Sequence, residues 1–225
     1  MPIIDIVKEH APKKTFKNEK IVGQFDLSEA NYRQTFKAEF EFPDDWKIGA
    51  IVGNSGTGKT TIAKQLFGDK YITDHKYTGA SVVDDIDADV NTITRTFNKI
   101  GFNSPPSWLK PYHVLSNGEK MRVDLSRALL ETNELIVFDE FTSVVDRQVA
   151  SVISQCVNKV IKKQDKQFIA VGCHFDILDW LQPDWVLNTN DMSFFLTKHG
   201  SDQEEKYKSI EQIAKRGDCL GNITI

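Results

Sequence analysis

Cysteine is scarce in this chain: Cys156, Cys173 and Cys219 are the three present, and no two of them stand at C-x-x-C spacing. The odd number and the missing motif exclude a disulfide framework and a zinc ribbon, and point to reduced thiols in a cytoplasmic protein. No apolar run approaches the roughly 18 residues that a membrane-spanning helix requires, so no span is expected in this chain. The opening Met1-Pro2-Ile3-Ile4-Asp5-Ile6-Val7-Lys8 is too short and too charged for a secretion signal. An excess of positive charge is missing as well. The net charge is −4, so no overall basic field recruits nucleic acid or anionic lipid, and the cluster Lys13, Lys14, Lys17, Lys20 reads as a solvated face. Internal repeats and low-complexity linkers are absent. What remains is 225 residues of ordinary composition, 40% hydrophobic and 27% charged, which suits one α/β domain over 1–225 with small additions.

The organising stretch is Gly53-Asn54-Ser55-Gly56-Thr57-Gly58-Lys59-Thr60, which fills the phosphate-loop pattern G-x-x-x-x-G-K-[ST]. An apolar strand, Lys47–Val52, runs into it, and a helix from Thr61 to Phe67 follows, closed by Gly68. The glycines let the backbone curl so that successive N–H groups face phosphate oxygens, and the helix start adds partial positive charge. Lys59 is expected to reach the β- and γ-phosphates, and the Thr60 hydroxyl to coordinate Mg²⁺. The pattern predicts binding of a nucleoside triphosphate.

Around this loop the chain alternates strand and helix, which calls for a mainly parallel sheet covered by helices. Two alternating runs, near Ile21–Phe25 and Phe36–Phe42, suggest an antiparallel part over about 20–47, while residues 1–20 give no clear element. A strand is expected to end at Ser81-Val82-Val83. The acidic run after it lacks the glycine and the closing glutamate of a calcium loop. Asp89 is placed as the cap of a helix carrying Val90, Ile93, Phe97 and Ile100, ended by Gly101. Ser104–Trp108 reads as a rigid turn or extended segment. Glu134–Phe138 is an apolar strand running into Asp139 and Glu140, and Phe168–Gly172 is another, followed by Cys173 and His174. One or two edge strands (Trp185–Leu187 and Ser193–Leu196) and a polar tail close the chain. Asp139 stands where a second metal-binding carboxylate is needed, and Glu140 is positioned to accept a proton from an attacking water.

These motifs together resemble the ABC-type ATPases. Leu115-Ser116-Asn117-Gly118-Glu119 is similar to their LSGGQ signature, followed by Arg122 and Ser126-Arg127-Ala128-Leu129. Val137-Phe138-Asp139-Glu140 resembles the Walker B strand, Ser143-Val144-Val145-Asp146 the D-loop, and His174 the switch histidine. The resemblance implies a P-loop ABC nucleotide-binding fold with a small antiparallel β subdomain and a helical subdomain shortened to about 84–115. It implies ATP and Mg²⁺ as ligands, with the whole loop Gly53–Thr60 and Thr61 cradling the phosphates. It further implies an ATP-dependent head-to-tail homodimer, in which Ser116, Gly118 and Asp146 meet the nucleotide of the other subunit. His174 would hold the γ-phosphate while Glu140 polarises water. Phe25 lies where the family puts an aromatic that stacks on adenine; an ordinary core position fits it as well, and Tyr32 is the other candidate. Asn117 replaces a signature glycine and Glu119 the glutamine, while Asp84 is placed at the Q-loop position as a carboxylate for metal or water. The short interval 61–114 and the wording of Trp108–Val114, Glu140–Gln148 and Asp179–Trp185 resemble ABC-type ATPases elsewhere fused to an acetyltransferase-like domain. A free-standing ATPase that drives a partner protein or a nucleic-acid process is the leading expectation. The ATP-binding subunit of a membrane transporter and a small-molecule P-loop kinase are the alternatives.

Overall fold

A computed structural model describes residues 3–10, 13–26, 32–72 and 75–197; Cys219 and the polar tail lie outside the described residues. The chain divides into two compact units, Met1–Glu41 and Phe42–Ile225.

In the first unit β1 (Ile3–His10) pairs antiparallel with β2 (Tyr32–Glu39), so that Ile6 faces Phe36 across the pair. Ile4 and Phe36 are buried on this sheet. The strand β1 occupies residues for which the sequence suggests no element. Between the two strands lies helix α1 (Phe16–Gln24), where the alternation at Ile21–Phe25 predicts a strand. The helix is set by its start: the Thr15 side chain accepts the Asn18 N–H, and Glu19 sits in the first turn, where the helix dipole favours an acid.

The second unit is a six-stranded sheet in the order β4-β5-β6-β3-β7-β8. Its strands are β3 (Ile48–Val52), β4 (Tyr71–Ile72), β5 (Leu135–Phe138), β6 (Gln167–Gly172), β7 (Trp185–Asn188) and β8 (Ser193–Leu196). All neighbours run parallel except β7 and β8, which form an antiparallel edge. Every residue of β3, β5 and β7 is buried, which explains their largely apolar sequences. Gly49 interrupts β3 for a steric reason: a Cβ there would meet the Trp185 ring at 2.1 Å. At the start of β3, Asp184 Oδ2 accepts the amides of Lys47 and Ile48 at 2.8 and 2.9 Å and so pins β3 to the chain entering β7.

Helix α2 (Lys59–Phe67) follows β3 and packs on β3, β4 and β6. Helix α3 (Val90–Lys99) begins at Asp89, whose side chain accepts the Thr92 N–H, as the sequence predicts; Gly101 follows it at φ 79°. Ser104–Trp108 contains a one-turn helix, α4 (Pro105–Trp108), rather than an extended segment, because proline suits the first helical position. Helix α5 (Asn117–Glu131) packs on β5 and α3, and α6 (Arg147–Ile161) packs on α7 (Ile177–Leu181). The strand expected at Ser81–Val83 is a series of turns. Ser81 Oγ donates to Asp84 Oδ2 at 2.6 Å and accepts the Asp84 amide, a local pairing that competes with a sheet ladder. The strand of this interval is β4, beside β5. Asp84 lies within these turns, bonded to Ser81.

Candidate functional site

The C-terminal ends of β3, β5, β6 and β7 lie side by side, and the chain leaving each carries a polar group. After β3 comes the loop Gly53–Gly58, with Gly56 at φ 83° and Gly58 at φ 86°, a left-handed backbone that only glycine takes without strain. Gly58 is the N-cap of α2, and no side chain caps that helix start. The Lys59 ammonium folds back over the loop and donates to the carbonyls of Gly53 (2.9 Å) and Asn54 (2.8 Å). Lys59 is only 7% exposed, so its charge sits in the loop rather than in solvent.

The loop is held from β7 by residues with no part in the phosphate-loop pattern. Thr57 Oγ1 meets Thr189 Oγ1 at 2.6 Å, and the Asn54 amide donates to Asn190 Oδ1 at 2.8 Å. Thr189 in turn donates its amide to the Val52 carbonyl at 2.8 Å. A Cβ on Gly53 would meet Thr189 Oγ1 at 2.2 Å, so glycine here serves the contact with β7. The polar run Asn188-Thr189-Asn190 after an apolar strand was the available sequence signal for this support.

Asp139 and Glu140 follow β5. Asp139 Oδ2 accepts the Thr60 hydroxyl at 2.8 Å and also the Tyr71 phenol, which reaches across from β4. Its Oδ1 accepts the Glu140 amide at 2.9 Å. A threonine hydroxyl beside a carboxylate is a hard-oxygen donor set of the kind Mg²⁺ takes, so the residues present fit that ion. Tyr71 has no motif around it, and the sequence carries no signal for its role. Glu140 stands at φ 51° and Thr142 at φ 62°. Such a backbone persists in non-glycine residues where the surroundings over-determine it. Here the Phe141 amide bonds the Val171 carbonyl at 2.8 Å, and Ser143 bonds the Glu140 carbonyl through both its amide and its hydroxyl.

His174 follows β6. Burial lowers its pKa below the ordinary histidine value, and the positive charges of Arg147 and Lys59 add to the effect, against Asp176 and Glu140. Arg147 makes a two-pronged ion pair with Asp176 and covers the Trp180 ring at 5.6 Å.

Ser116 is the N-cap of α5 in a reciprocal capping box with Glu119. The Ser116 amide and hydroxyl donate to Glu119 Oε2 at 2.9 and 2.8 Å, and the Glu119 amide returns to Ser116 Oγ. This explains a glutamate at the fifth signature position: it closes the helix start, and those contacts lower its pKa. Gly118 approaches the D-loop within the same chain, since a Cβ there would lie 3.3 Å from Val145 Cγ1. Arg122 donates to the Gly118 carbonyl at 3.1 Å, and the Asp146 and Glu119 charges act on it. Asp146 caps α6 through the Val149 amide at 2.9 Å.

Between the start of α5 and the end of β5 lies a cavity of about 320 Å³ that Asp139 and Glu140 share with His75, Tyr112, Asn117 and Asp124. Asp124 accepts the hydroxyls of Tyr77 and Tyr112, both at 2.6 Å, and those rings stack at 3.8 Å. Asp84 does not line this cavity. Phe25 follows α1 in the first unit and is 65% exposed, which corrects its reading as a core aromatic. Tyr32 opens β2.

The loop, the hydroxyl–carboxylate pair and the mainly parallel sheet define a P-loop ATP-binding domain with ABC-type architecture. The family model for the NB-ARC domain matches residues 34–166, over half of the chain, and the chain belongs to that family. That match takes in the phosphate loop and β5, and ends before β6. Curated relatives show homology to the ABC transporter ATP-binding subunits. The energy-coupling factor transporter ATP-binding protein EcfA1 of Oceanobacillus iheyensis is 26% identical, over 81% of this chain and 74% of its own. EcfA1 of Leuconostoc mesenteroides is 24% identical, over 63% of this chain and 66% of its own. The ATP-binding protein Uup of Buchnera aphidicola is 24% identical over 99% of this chain, which spans 41% of Uup. Among solved structures, a dimeric ATP-binding cassette bound to ADP and Pi superposes with TM-score 0.58 at 13% identity, over 87% of this chain and all of that one. A bacterial Atm1-family ABC exporter with ATP bound gives 0.55 at 18% identity, over 76% of this chain and 35% of that one. These superpositions establish the fold. No helix among the described residues is long and apolar enough to cross a membrane.

Proposed function

We propose that this chain hydrolyses MgATP between two copies of itself and couples the cycle to a membrane transport partner. The observation that carries the hydrolytic reading is the convergence on one sheet edge of Lys59, Thr60, Asp139, Glu140 and His174 from β3, β5 and β6. Mg²⁺, when bound, supplies charge neutralisation across the β- and γ-phosphates. Thr60 and Asp139 are the residues that would hold it. Lys59 exchanges its two loop carbonyls for phosphate oxygens, a stronger charge-assisted pairing. Glu140 accepts the proton of the attacking water at its carboxylate. His174, kept neutral by burial and by Arg147, donates an N–H hydrogen bond to the γ-phosphate.

Ser116, Gly118 and Asp146 sit together at the facing helix starts of α5 and α6, and in this reading they complete the site of the second copy. Phe25, an exposed residue of the first unit, is the proposed adenine platform, and a Phe25→Ala change that leaves ATP affinity unaltered removes it from the site. The transporter partner is supported by the names of the relatives that align over most of the chain. The free-standing reading, a partner protein or nucleic acid without transport, is supported by the short interval between phosphate loop and signature. Stoichiometric co-purification of an integral membrane protein with the ATP-trapped Glu140→Gln form decides for transport. ATP-dependent, salt-sensitive retention on DNA or RNA decides for the other. ATP turnover with no added acceptor excludes a kinase.

A further inference from the structure

One face of α5 carries Lys120, Asp124 and Arg127, at a helical spacing that sets them in a row. Two tyrosines from other segments lie along that row. Tyr77 belongs to the chain after β4, and Tyr112 to the short turn Tyr112–Val114 that leads into Leu115 and Ser116. Their rings stack 3.8 Å apart and 7° from parallel, and each hydroxyl donates to its own oxygen of Asp124, both at 2.6 Å. Lys120 stands over the Tyr112 ring at 5.6 Å and Arg127 over the Tyr77 ring at 5.1 Å, so a cation meets each ring of the pair. Backbone contacts hold both segments too. Arg127 Nη1 donates to the Lys76 carbonyl at 2.7 Å, and the Leu115 amide donates to the Tyr112 carbonyl at 3.2 Å. This clamp is more than the helix start requires, since the capping box of Ser116 and Glu119 already closes α5. Burial disfavours the charge of Asp124, and the two phenols work against that cost. Three apolar side chains would fill the same space without it. What the polar set supplies is direction: two hydrogen bonds to one carboxylate and a stacked pair admit one arrangement of the three segments.

We propose that Asp124, Tyr77 and Tyr112 are positioning residues that fix the angle of the signature segment, so that Ser116 and Gly118 meet the nucleotide bound by a second copy. Tyr112 precedes Ser116 in the chain, and its anchor Asp124 lies about two turns into the helix that Ser116 caps. The entry to α5 is thus held from both sides of Ser116. Tyr77 ties the same carboxylate to the chain leaving β4, the neighbour of β5 in the sheet. The clamp acts on assembly, whereas ATP binding by a single copy rests on Gly53–Thr60 and does not depend on it. The inference rests on the reading that the signature completes the site of the second copy.

The test uses the full chain in the Glu140→Gln background with ATP and Mg²⁺, where light scattering over a range of protein concentrations gives the dimer dissociation constant. Tyr112→Phe keeps the ring and removes one hydrogen bond to the carboxylate. Dimerisation should weaken about tenfold, the loss that a hydrogen bond to a charged group commands. Affinity for a fluorescent ATP analogue, measured at protein concentrations where monomer prevails, should stay within about twofold of the parent, a split that general loosening of the fold would not give. The triple variant Tyr77→Phe, Tyr112→Phe, Asp124→Leu removes the carboxylate and both phenols together. Its melting temperature should stay near the parent's while its dimer weakens as well. A triple variant that dimerises within about twofold of the parent overturns the proposal, because the effect of Tyr112→Phe is then only that of a carboxylate short of a donor. If the triple variant does not fold, Tyr112→Phe decides alone on the same limit. A loss of monomer ATP affinity as large as the loss of dimer also overturns the proposal. If Glu140→Gln itself stays monomeric at saturating ATP, the reading of the signature in trans fails and the clamp proposal with it. If it dimerises and the clamp variants match it, the clamp proposal alone falls.

Discussion

The hydroxyl oxygens of Thr57 and Thr189 lie 2.6 Å apart, joining the phosphate loop to the end of β7 across 132 residues of sequence. Thr189 also lies under Gly53 and bonds Val52, so one side chain sets the loop's height over the sheet. Thr189→Val keeps the shape and removes the hydroxyl. A lost buried hydrogen bond costs about 1 kcal/mol, so ATP affinity should fall about fivefold, with a smaller change in turnover at saturation. Isothermal titration beside steady-state kinetics separates the two, and a fall in kcat with no change in affinity would show that the loop does not need this support.

Lys59→Ala removes the one side-chain cation aimed at the phosphates and leaves the carbonyls of Gly53 and Asn54 without their donor. Tight ATP binding and turnover should both be lost in a protein that keeps its circular dichroism spectrum. Turnover at the wild-type rate would defeat the phosphate-loop assignment.

Assembly gives a sharper check. Glu140→Gln removes proton acceptance with little change of shape, so hydrolysis should slow greatly while ATP stays bound. Light scattering should then show dimer with ATP and Mg²⁺ and monomer without. Adding Ser116→Arg places a bulky cation at the α5 start and should restore the monomer, although each loop still binds ATP. A monomer under all conditions, at saturating ATP, would mean that the signature with Asn117 and Glu119 does not act in trans.

Acid should destabilise the protein through its histidines. Burial lowers the pKa of both His174 and His75, with Arg147 and Arg127 adding to the effect. A lowered folded-state pKa means that the unfolded chain binds the proton first as pH falls. The stabilisation is therefore fully present above about pH 6.5 and is lost as pH drops through the lower folded values. Asp124 works in the opposite sense: burial raises its pKa, so its cost grows as pH rises through that raised value. Thermal melts between pH 7 and 5 should show a falling Tm. The slope should flatten in His174→Gln and His75→Gln, and an unchanged slope in the double variant would assign the acid sensitivity elsewhere.

The sequence by itself determined what depends on local pattern. G-x-x-x-x-G-K-[ST] places glycine at 53 and 58, the second at a left-handed backbone, and the apolar runs at 48–52, 135–138 and 168–172 read as buried strands. Asp89, Ser116 and Asp146 were legible as residues ahead of helices, because a cap acts over three residues of chain. Tertiary structure alone decided the rest. Ser81–Asp84 lost its strand to a side-chain turn, and Ile21–Gln24 became helical through a cap at Thr15. The supports of the site, Tyr71 on Asp139 and Thr189 on Thr57, lie 68 and 132 residues from the groups they hold. No local propensity encodes such pairs; they exist because the sheet order β4-β5-β6-β3-β7 sets β4 beside β5 and β7 beside β3, and brings their ends to one edge.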